Sequence, residues 1–323
     1  MSPMSGTAPQ RPVVLCCDPG LDDAWLIATL LGLGVDLRAV VVSYGCSDVD
    51  HCLRTAAGVL RLADREDIPI IRGAAEAIGK NPVQSHPERF GGSNGFMDVE
   101  LPPGRSPVIA GDERTRAEAI RGVFEACKRC TFLNSGPATT AALVERHFPG
   151  TFSAYVEDVH VMAGALDGPG NSGSKRPGQA FGCAEFNVFH DAESLGLLLN
   201  LRPPAKLVTW DQRTVCLGRS LVRSTRPRTE LGRALLEATA NFFSLYGSDN
   251  LVDSGPEPVY SAIDVLLAFS LIADGDFERT AIRVTTEGQW YGETSKDPSG
   301  SPVDLYRPPP GSRILETILD VAV

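Results

Sequence analysis

The sequence predicts an α/β fold, a mostly parallel central sheet with helices on both faces. Two observations carry this. Short apolar, β-branched runs alternate with segments of helical spacing, as in successive strand–helix–strand units. The first run, Val13 to Cys17, also ends in Asp18-Pro19-Gly20-Leu21-Asp22-Asp23, three carboxylates where a strand hands over to a helix. In an open α/β sheet the carboxyl ends of the strands form the ligand crevice. Carboxylates this close repel each other unless a cation joins them or one holds a proton. Hard oxygen ligands suit Ca²⁺ or Mg²⁺. The helix dipole alone accounts for Asp22 and Asp23, but not for Asp18 at the strand end.

Taken in order, the first helix runs from Leu21 to Leu33. Leu37 to Tyr44 reads as a buried parallel strand with the acidic exit Gly45-Cys46-Ser47-Asp48. Asp50 to Ala63 has helical spacing, and Ile68 to Ile71 is a short strand. Gly73 to Gly111 is rich in Gly, Pro, Asn and Ser, the composition of a functional loop. Its Gly91-Gly92-Ser93-Asn94-Gly95 matches a nucleophile elbow in letters only, since no strand precedes it and no helix follows. Glu113 to Arg129 is an amphipathic helix, Thr131 to Asn134 a strand, and Ala138 to His147 a helix with Pro137 in its first turn. Val156 to Ala163 is the next strand and leads into a glycine-rich loop, Gly164 to Gly182. That loop spells GxGxxG at Gly168 to Gly173, but no helix follows, so it does not read as a dinucleotide fingerprint. Glu185 and Asn187 read as two residues on one side of an extended segment. A helix Ala192 to Asn200 and a strand Lys206 to Trp210 complete that crossover. Helices at about Glu230 to Tyr246 and Tyr260 to Ala273 flank a Gly/Pro/Asp-rich loop. Arg279 to Thr286 is a strand, the segment carrying Trp290 and Tyr291 a turn, and Ile314 to Val321 a closing helix. No repeat or linker divides the chain. Residues 1–11 read as a disordered tail without a secretory signal, and 12–323 as one domain.

Composition narrows the function classes. The 323 residues are 43% hydrophobic, enough for a substantial core. The net charge of −10 argues against nucleic acid or an anionic membrane as partner, and no apolar run is long enough to span a bilayer. A neutral small molecule or a divalent cation fits. Eight scattered cysteines in so long a chain fit a reducing cytosol, hence a cytoplasmic protein. Cys127 and Cys130 form a lone CxxC without the second pair that zinc would need.

Four motifs in order make a family. Cys16-Cys17-Asp18-Pro19-Gly20-Leu21-Asp22-Asp23 resembles the Asp-x-Asp-Pro-Gly-x-Asp-Asp signature of the nucleoside hydrolases, the Ca²⁺-dependent inosine–uridine-preferring N-ribohydrolases. Asn134-Ser135-Gly136-Pro137-Ala138-Thr139 is similar to their Thr-Gly-Pro-Leu-Thr-Asn turn. Met162-Ala163-Gly164-Ala165 with Gly170-Asn171 resembles their Met-Gly-Gly-Ala…Gly-Asn, and Ala184-Glu185-Phe186-Asn187 matches Ala-Glu-Phe-Asn. Asp264 sits where the family has a late metal-ligating Asp. The resemblance implies a Rossmann-like sheet with the site at the carboxyl ends of its strands. It implies Ca²⁺ held by Asp18, Asp23, Asp264 and the carbonyl of Ser135. A water polarised by that ion and deprotonated by Asp18 would attack the anomeric carbon. Asp22 and Asn171 would hold the 2′- and 3′-hydroxyls, Glu185 and Asn187 the remaining ribose oxygens, and Met162 would pack under the sugar. A carboxylate-rich pocket favours the oxocarbenium character of the reacting ribosyl ring. Relatives are commonly dimers or tetramers, so a homodimer or homotetramer is implied.

Departures bear on the base. Cys16 replaces the first signature Asp, a supporting acid. Cys46-Ser47-Asp48 is similar to the Cys-Thr-Asp of the purine-specific branch, which makes Asp48 a candidate pocket residue and leans the reading toward purine ribonucleosides. Ile263 stands where the nonspecific branch has a leaving-group His. Phe90, Phe96, Tyr260, Trp290 and Tyr291 are candidate aromatic faces for a base. Two other readings remain at this level: a non-catalytic relative that binds Ca²⁺ and a ribosyl ligand, and an acidic Mg²⁺ phosphohydrolase. The second wants a basic residue near the turn, where Arg38 and Arg54 are the nearest candidates.

Overall fold

The computed structural model describes residues 11–79, 91–247, 257–272 and 276–323. The tail up to residue 10, Phe90 and most of the loop between Gly247 and Pro258 lie outside the described residues. Arg11, at the end of the expected tail, hydrogen-bonds Asp158.

The chain runs β1 (Val13–Cys17), α1 (Leu21–Gly32), β2 (Leu37–Val42), α2 (Val49–Leu62), β3 (Ile70–Arg72), β4 (Val108–Ile109), α3 (Glu113–Cys127) and β5 (Cys130–Asn134). It continues with α4 (Thr139–His147), α5 (Thr151–Tyr155), β6 (Val156–Met162), β7 (Ser172–Lys175), β8 (Gly182–Ala184), α6 (Phe186–His190), α7 (Ala192–Leu199) and β9 (Ala205–Val208). The last third holds β10 (Cys216–Gly218), α8 (Arg219–Ser224), α9 (Glu230–Tyr246), β11 (Val259–Ser261), α10 (Val265–Leu271), β12 (Asp276–Val284), β13 (Thr294–Lys296), β14 (Ser301–Arg307) and α11 (Gly311–Val321).

Among the described residues, ten strands form one sheet in the order β13-β12-β14-β9-β6-β5-β1-β2-β3-β4. From β4 to β14 neighbouring strands are parallel, and β12 and β13 close one edge antiparallel. The expected α/β architecture is therefore the observed one. Strand β1 is central because every residue of Val-Val-Leu-Cys-Cys is buried, as a strand covered on both faces requires. Its side chains alternate between two cores. Leu15 and Cys17 join Trp25 of α1 and the inner faces of α9 and α10; Val14 and Cys16 join the side packed by α3, α4 and α7.

The connections position the site. From β1 the chain steps outward through β2, β3 and β4. It then returns to β5 on the other flank of β1 and steps outward through β6 and β9. Chain order thus reverses between β1 and β5, and a crevice opens beyond the carboxyl ends of those two strands. Asp18 follows β1 and Ser135 follows β5.

Several elements differ from the sequence expectation. Glu185 to Phe189 is not extended: Glu185 caps the short helix α6 by accepting the N–H groups of Asn187 and Val188. Two polar residues that read as one strand face are thus a helix cap and its second residue. The segment from Tyr260 is a short strand followed by a helix that starts at Val265, because β11 pairs with β10. Strand β14 has no counterpart in the sequence expectation, and it carries Pro302, a residue that cannot donate to a ladder. In the structure β14 pairs with β9 only from Asp304 onward, so Pro302 lies clear of that ladder.

Candidate active site

The β1–α1 turn places Asp18 at the mouth of the crevice and Asp22 and Asp23 in the first turn of α1. Asp18 and Asp23 are 5% and 3% exposed. The backbone N–H of Cys46, on the β2–α2 turn, donates to Asp18 Oδ2 at 2.6 Å. The Cys46 thiol donates to the Asp18 carbonyl at 2.7 Å. Two glycines hold backbone against the Asp18 carboxylate. A Cβ on Gly45 would collide with Oδ2, and one on Gly136 would lie 2.7 Å from Oδ1. Gly45→Ala is therefore expected to displace the Asp18 carboxylate and lower kcat/KM about a hundredfold, the scale of an ångström-sized misplacement. Steady-state assay of the variant beside its circular dichroism spectrum checks this; wild-type activity would show that the Asp18 position tolerates the shift.

The opposite side comes from later strands. Ser135 Oγ donates to Asp23 Oδ1, linking the end of β5 to α1. Asn187 Nδ2 donates to the Ser135 carbonyl at 2.6 Å and reaches the Met162 carbonyl at 3.4 Å. Glu185 accepts from the backbone of Gly164 at 3.1 Å as well as from its own helix. Asp264 precedes α10, is 6% exposed, and its N–H approaches Asp22 Oδ1 at 3.4 Å. Asn171 sits before the β7–β8 hairpin, its N–H bound to the Ala184 carbonyl.

These residues surround one cavity of about 180 Å³. Asp18, Asp22, Asp23, Ser135, Met162, Asn171, Glu185, Asn187 and Asp264 all line it. Nine of the ten expected site residues are therefore brought together. Asp48 is the exception. Its carboxylate caps α2, accepting from Asp50 N, His51 N and the His51 ring, and its side chain is half exposed to solvent away from the cavity. In the structure Asp48 starts helix α2 and is not among the residues that line the cavity.

Burial dominates the electrostatics. It pushes the Asp18 and Asp264 carboxyls well above the ordinary carboxylate range, and neighbouring acids add to the rise. Asp23 is pushed up to about 6 although Ser135 and backbone groups hydrogen-bond it. Glu185 is pushed up to about 7 despite four backbone hydrogen bonds. Among the described residues no Arg, Lys or His lines the cavity to offset these acids. A hard divalent cation would, and the donor set is oxygen only: carboxylates plus the Ser135 carbonyl. Among the described residues, no three His, Cys, Asp or Glu side chains are grouped tightly enough to hold a metal ion as they stand. Asp23, Asp18 and the Ser135 carbonyl are each hydrogen-bonded by a protein donor. Ser261 Oγ, buried in the same wall, has no hydrogen-bond partner among the described residues. The residues fit such an ion in chemistry and in location.

The rest of the lining was largely missed. Phe186, Trp210 and Phe242 join Tyr260, Met97 and Ile263 around the cavity. Of the expected aromatic faces among the described residues, only Tyr260 lines it. Phe96 is buried in the core, Tyr291 donates its hydroxyl to Glu193, and Trp290 carries the Arg176 guanidinium over its ring. Phe186 lies inside the recognised motif Ala184-Glu185-Phe186-Asn187, where the sequence reading gave it no role. Trp210 and Phe242 follow no local pattern that separates a pocket wall from a core.

The sequence model of the inosine-uridine preferring nucleoside hydrolases matches residues 13–321. A pyrimidine-specific ribonucleoside hydrolase, RihA, of Shewanella sp. (strain MR-7) is 31% identical over 205 residues, which are 62% of this chain and 59% of that protein. RihA of Escherichia coli O81 (strain ED1a) is 29% identical over 204 residues, 62% and 60% of the two chains. The match thus spans about three fifths of these curated relatives. Among solved structures, a purine-preferring ribonucleoside hydrolase from Gardnerella vaginalis superposes with a TM-score of 0.81 at 19% identity, covering 96% of this chain and 98% of that one. An inosine-uridine preferring nucleoside hydrolase from Bacillus anthracis gives 0.75 at 19% identity over 97% and 99%. At such identities these two share the fold. With the family model matched from β1 to α11, this chain belongs to the inosine-uridine preferring nucleoside hydrolase family.

Proposed function

We propose that the protein hydrolyses the N-glycosidic bond of ribonucleosides to free base and ribose, purine ribonucleosides among them. The observation that carries this is the one cavity lined by nine acids, amides, Ser and Met, eight of them from four separate motifs and the ninth Asp264. Asp18, Asp23, Asp264 and the Ser135 carbonyl would hold a divalent cation, Ca²⁺ in this reading. When bound, the ion lowers the pKa of water and orients hydroxyl oxygens.

The chain's own groups do the rest. Asp18, fixed between Gly45 and Gly136 and bonded to Cys46 N, takes the proton of the attacking water. Asp22 and Asn171 accept and donate to ribose hydroxyls, and Glu185 and Asn187 hold the remaining ribose oxygens. Glu185 is kept in place by backbone N–H groups and Asn187 by the Ser135 carbonyl. Met162, at the end of β6, supplies the apolar floor under the sugar. The buried carboxylates favour positive charge developing on the ribosyl ring over the neutral substrate. Trp210, Phe186, Phe242 and Tyr260 offer ring faces broad enough for a bicyclic base.

The support for a purine lean is that aromatic lining; the curated relatives named above are pyrimidine-specific by name. Residues 12–323 act as one domain in this reading, supported by one sheet that takes strands from Val13 to Arg307. All eight cysteines are free, which supports a cytoplasmic setting, and no helix among the described residues is long and apolar enough to cross a membrane. A homodimer or homotetramer belongs to the same proposal.

The test is release of reducing sugar from inosine, guanosine, adenosine, uridine and cytidine with Ca²⁺ present. Turnover of about 1 per second or faster on at least one of them, the low end of ordinary enzymes, is expected. Nucleoside binding by calorimetry without any release would make the protein a non-catalytic binder instead.

A further inference from the structure

Helix α9 walls two cavities that share no lining residue among the described residues. Phe242 lines the active site, whereas Asn241, Phe243 and Ser244 line a second cavity of about 370 Å³. Arg219 and Arg223 of α8 form its other wall. A chain of net charge −10 thus places two guanidiniums, and no carboxylate among the described residues, around one hollow. Two acids stand on or beside the same elements. Glu257 accepts the backbone N–H of Ser220, and Glu237, one turn before Asn241, is exposed. Among the described residues neither Arg219 nor Arg223 has an ion pair.

The cationic wall is held in place and short of acceptors. Arg219 Nη2 donates to the Phe243 carbonyl at 3.2 Å, and its guanidinium carbon lies 5.3 Å from the centre of the Phe243 ring. Those contacts fix the plane of the group. Its Nε is buried and has no hydrogen-bond partner among the described residues. A buried N–H without an acceptor is destabilising, and an anion in the cavity supplies one. Arg223 is exposed and makes no hydrogen bond among the described residues. Planar guanidinium forks match the oxygens of a phosphoryl group better than point charges do.

The α9 wall offers the complementary groups. Asn241 Nδ2 donates to the Met97 carbonyl at 2.9 Å, which leaves Oδ1 as an acceptor. Ser244 Oγ donates to the Ala240 carbonyl at 3.4 Å, which leaves its lone pairs open. Acceptors of this kind take hydroxyl protons. A lone phosphate ion would fill only a small part of 370 Å³, a volume in the range of sites for small organic molecules. We propose that this cavity is a binding site for a phosphate monoester of a sugar, apart from the active site. Arg219 and Arg223 take the phosphoryl group, and Asn241 and Ser244 take sugar hydroxyls.

Binding here needs neither turnover nor metal, so it is tested independently of the hydrolase reading. Ribose 5-phosphate, ribose and inorganic phosphate are titrated by calorimetry into the chelator-treated full chain. Ribose 5-phosphate is expected to bind at least about tenfold tighter than either of the other two, since each lacks one half of the recognised chemistry. Arg219→Gln and Arg223→Gln are each expected to weaken it at least about fivefold, the scale of one charge-assisted hydrogen bond. Asp18→Asn is expected to leave it unchanged, because Asp18 lines the other cavity. Circular dichroism monitors the fold, and the exposed Arg223 gives a variant that stays folded should Arg219→Gln not. No binding of ribose 5-phosphate, equal binding of inorganic phosphate, or wild-type affinity in Arg223→Gln overturns the proposal. Loss of binding in Asp18→Asn overturns it as well, by placing the ester in the active site.

Discussion

Asp18→Asn is expected to lower ribonucleoside hydrolysis by at least about a thousandfold while the protein stays folded and becomes harder to melt without metal. The loss combines two roles. An amide cannot take the proton of the attacking water, a contribution of about 10² to 10⁴ in rate. It is also a far poorer ligand for a hard cation than a carboxylate. The gain in stability has a separate cause. Asp18 is buried against Asp23 with no cationic side chain in the cavity among the described residues, so folding without metal confines like charges. The asparagine is nearly the same shape and keeps an oxygen for the Cys46 N–H. Relief of the repulsion is expected to raise the metal-free Tm by about 2 °C or more, the size expected of roughly 1 kcal/mol in a chain of this length or somewhat shorter. Activity within tenfold of wild type would remove Asp18 from the role of base. A metal-free Tm below that of wild type would mean that the carboxylate is compensated in the apo protein.

The second large effect is removal of the ion. Treatment with a chelator is expected to abolish hydrolysis and to lower Tm, and added Ca²⁺ is expected to restore both. The stability change follows from mass action: a ligand at a hundred times its Kd stabilises the folded state by about 2.7 kcal/mol. Calorimetric melting with stepped Ca²⁺ gives this directly, because Tm should rise logarithmically with free ion. Mg²⁺ serves as the comparison, since it dehydrates reluctantly and prefers fewer protein ligands than Asp18, Asp23, Asp264 and the Ser135 carbonyl together offer. Hydrolysis that persists in chelator at full rate would mean that the carboxylates serve the ribosyl cation alone.

The local chemistry of the site was legible because its donors sit in short motifs at strand ends. Asp18, Asp22 and Asp23 share six residues of chain, and Glu185 and Asn187 three, so sequence spacing already placed each set. That the sets meet depends on the reversal of strand order between β1 and β5, which adjacent letters do not encode. The order of the motifs along a known family supplied it. What failed was of three kinds. Asp48 looked like a pocket acid because capping and ligand binding select the same residue type at a helix start. The aromatic wall was nearly invisible because Trp210 and Phe242 come from a short turn and a long amphipathic helix, where a cavity face and a core face have the same periodicity. The extended reading of Glu185 to Phe189 failed for a third reason. A helix of five residues is too short to display a period, and only its Glu185 cap marks its start.

The hydrogen bond from Asp264 N–H to Asp22 also has a bearing on how the chain folds. It joins positions 242 residues apart, and the Ser135–Asp23 link spans 112. Contacts of such high order form late, after loop-closure entropy has been met by the pairing of nearer strands. The pairing of β1, β2 and β3 needs only two short crossovers, whereas the cavity also needs the returning chain. Recovery of ligand binding after refolding is therefore a clock for the last docking event. Agents that slow that event leave a protein with most of its helix and sheet and no active site.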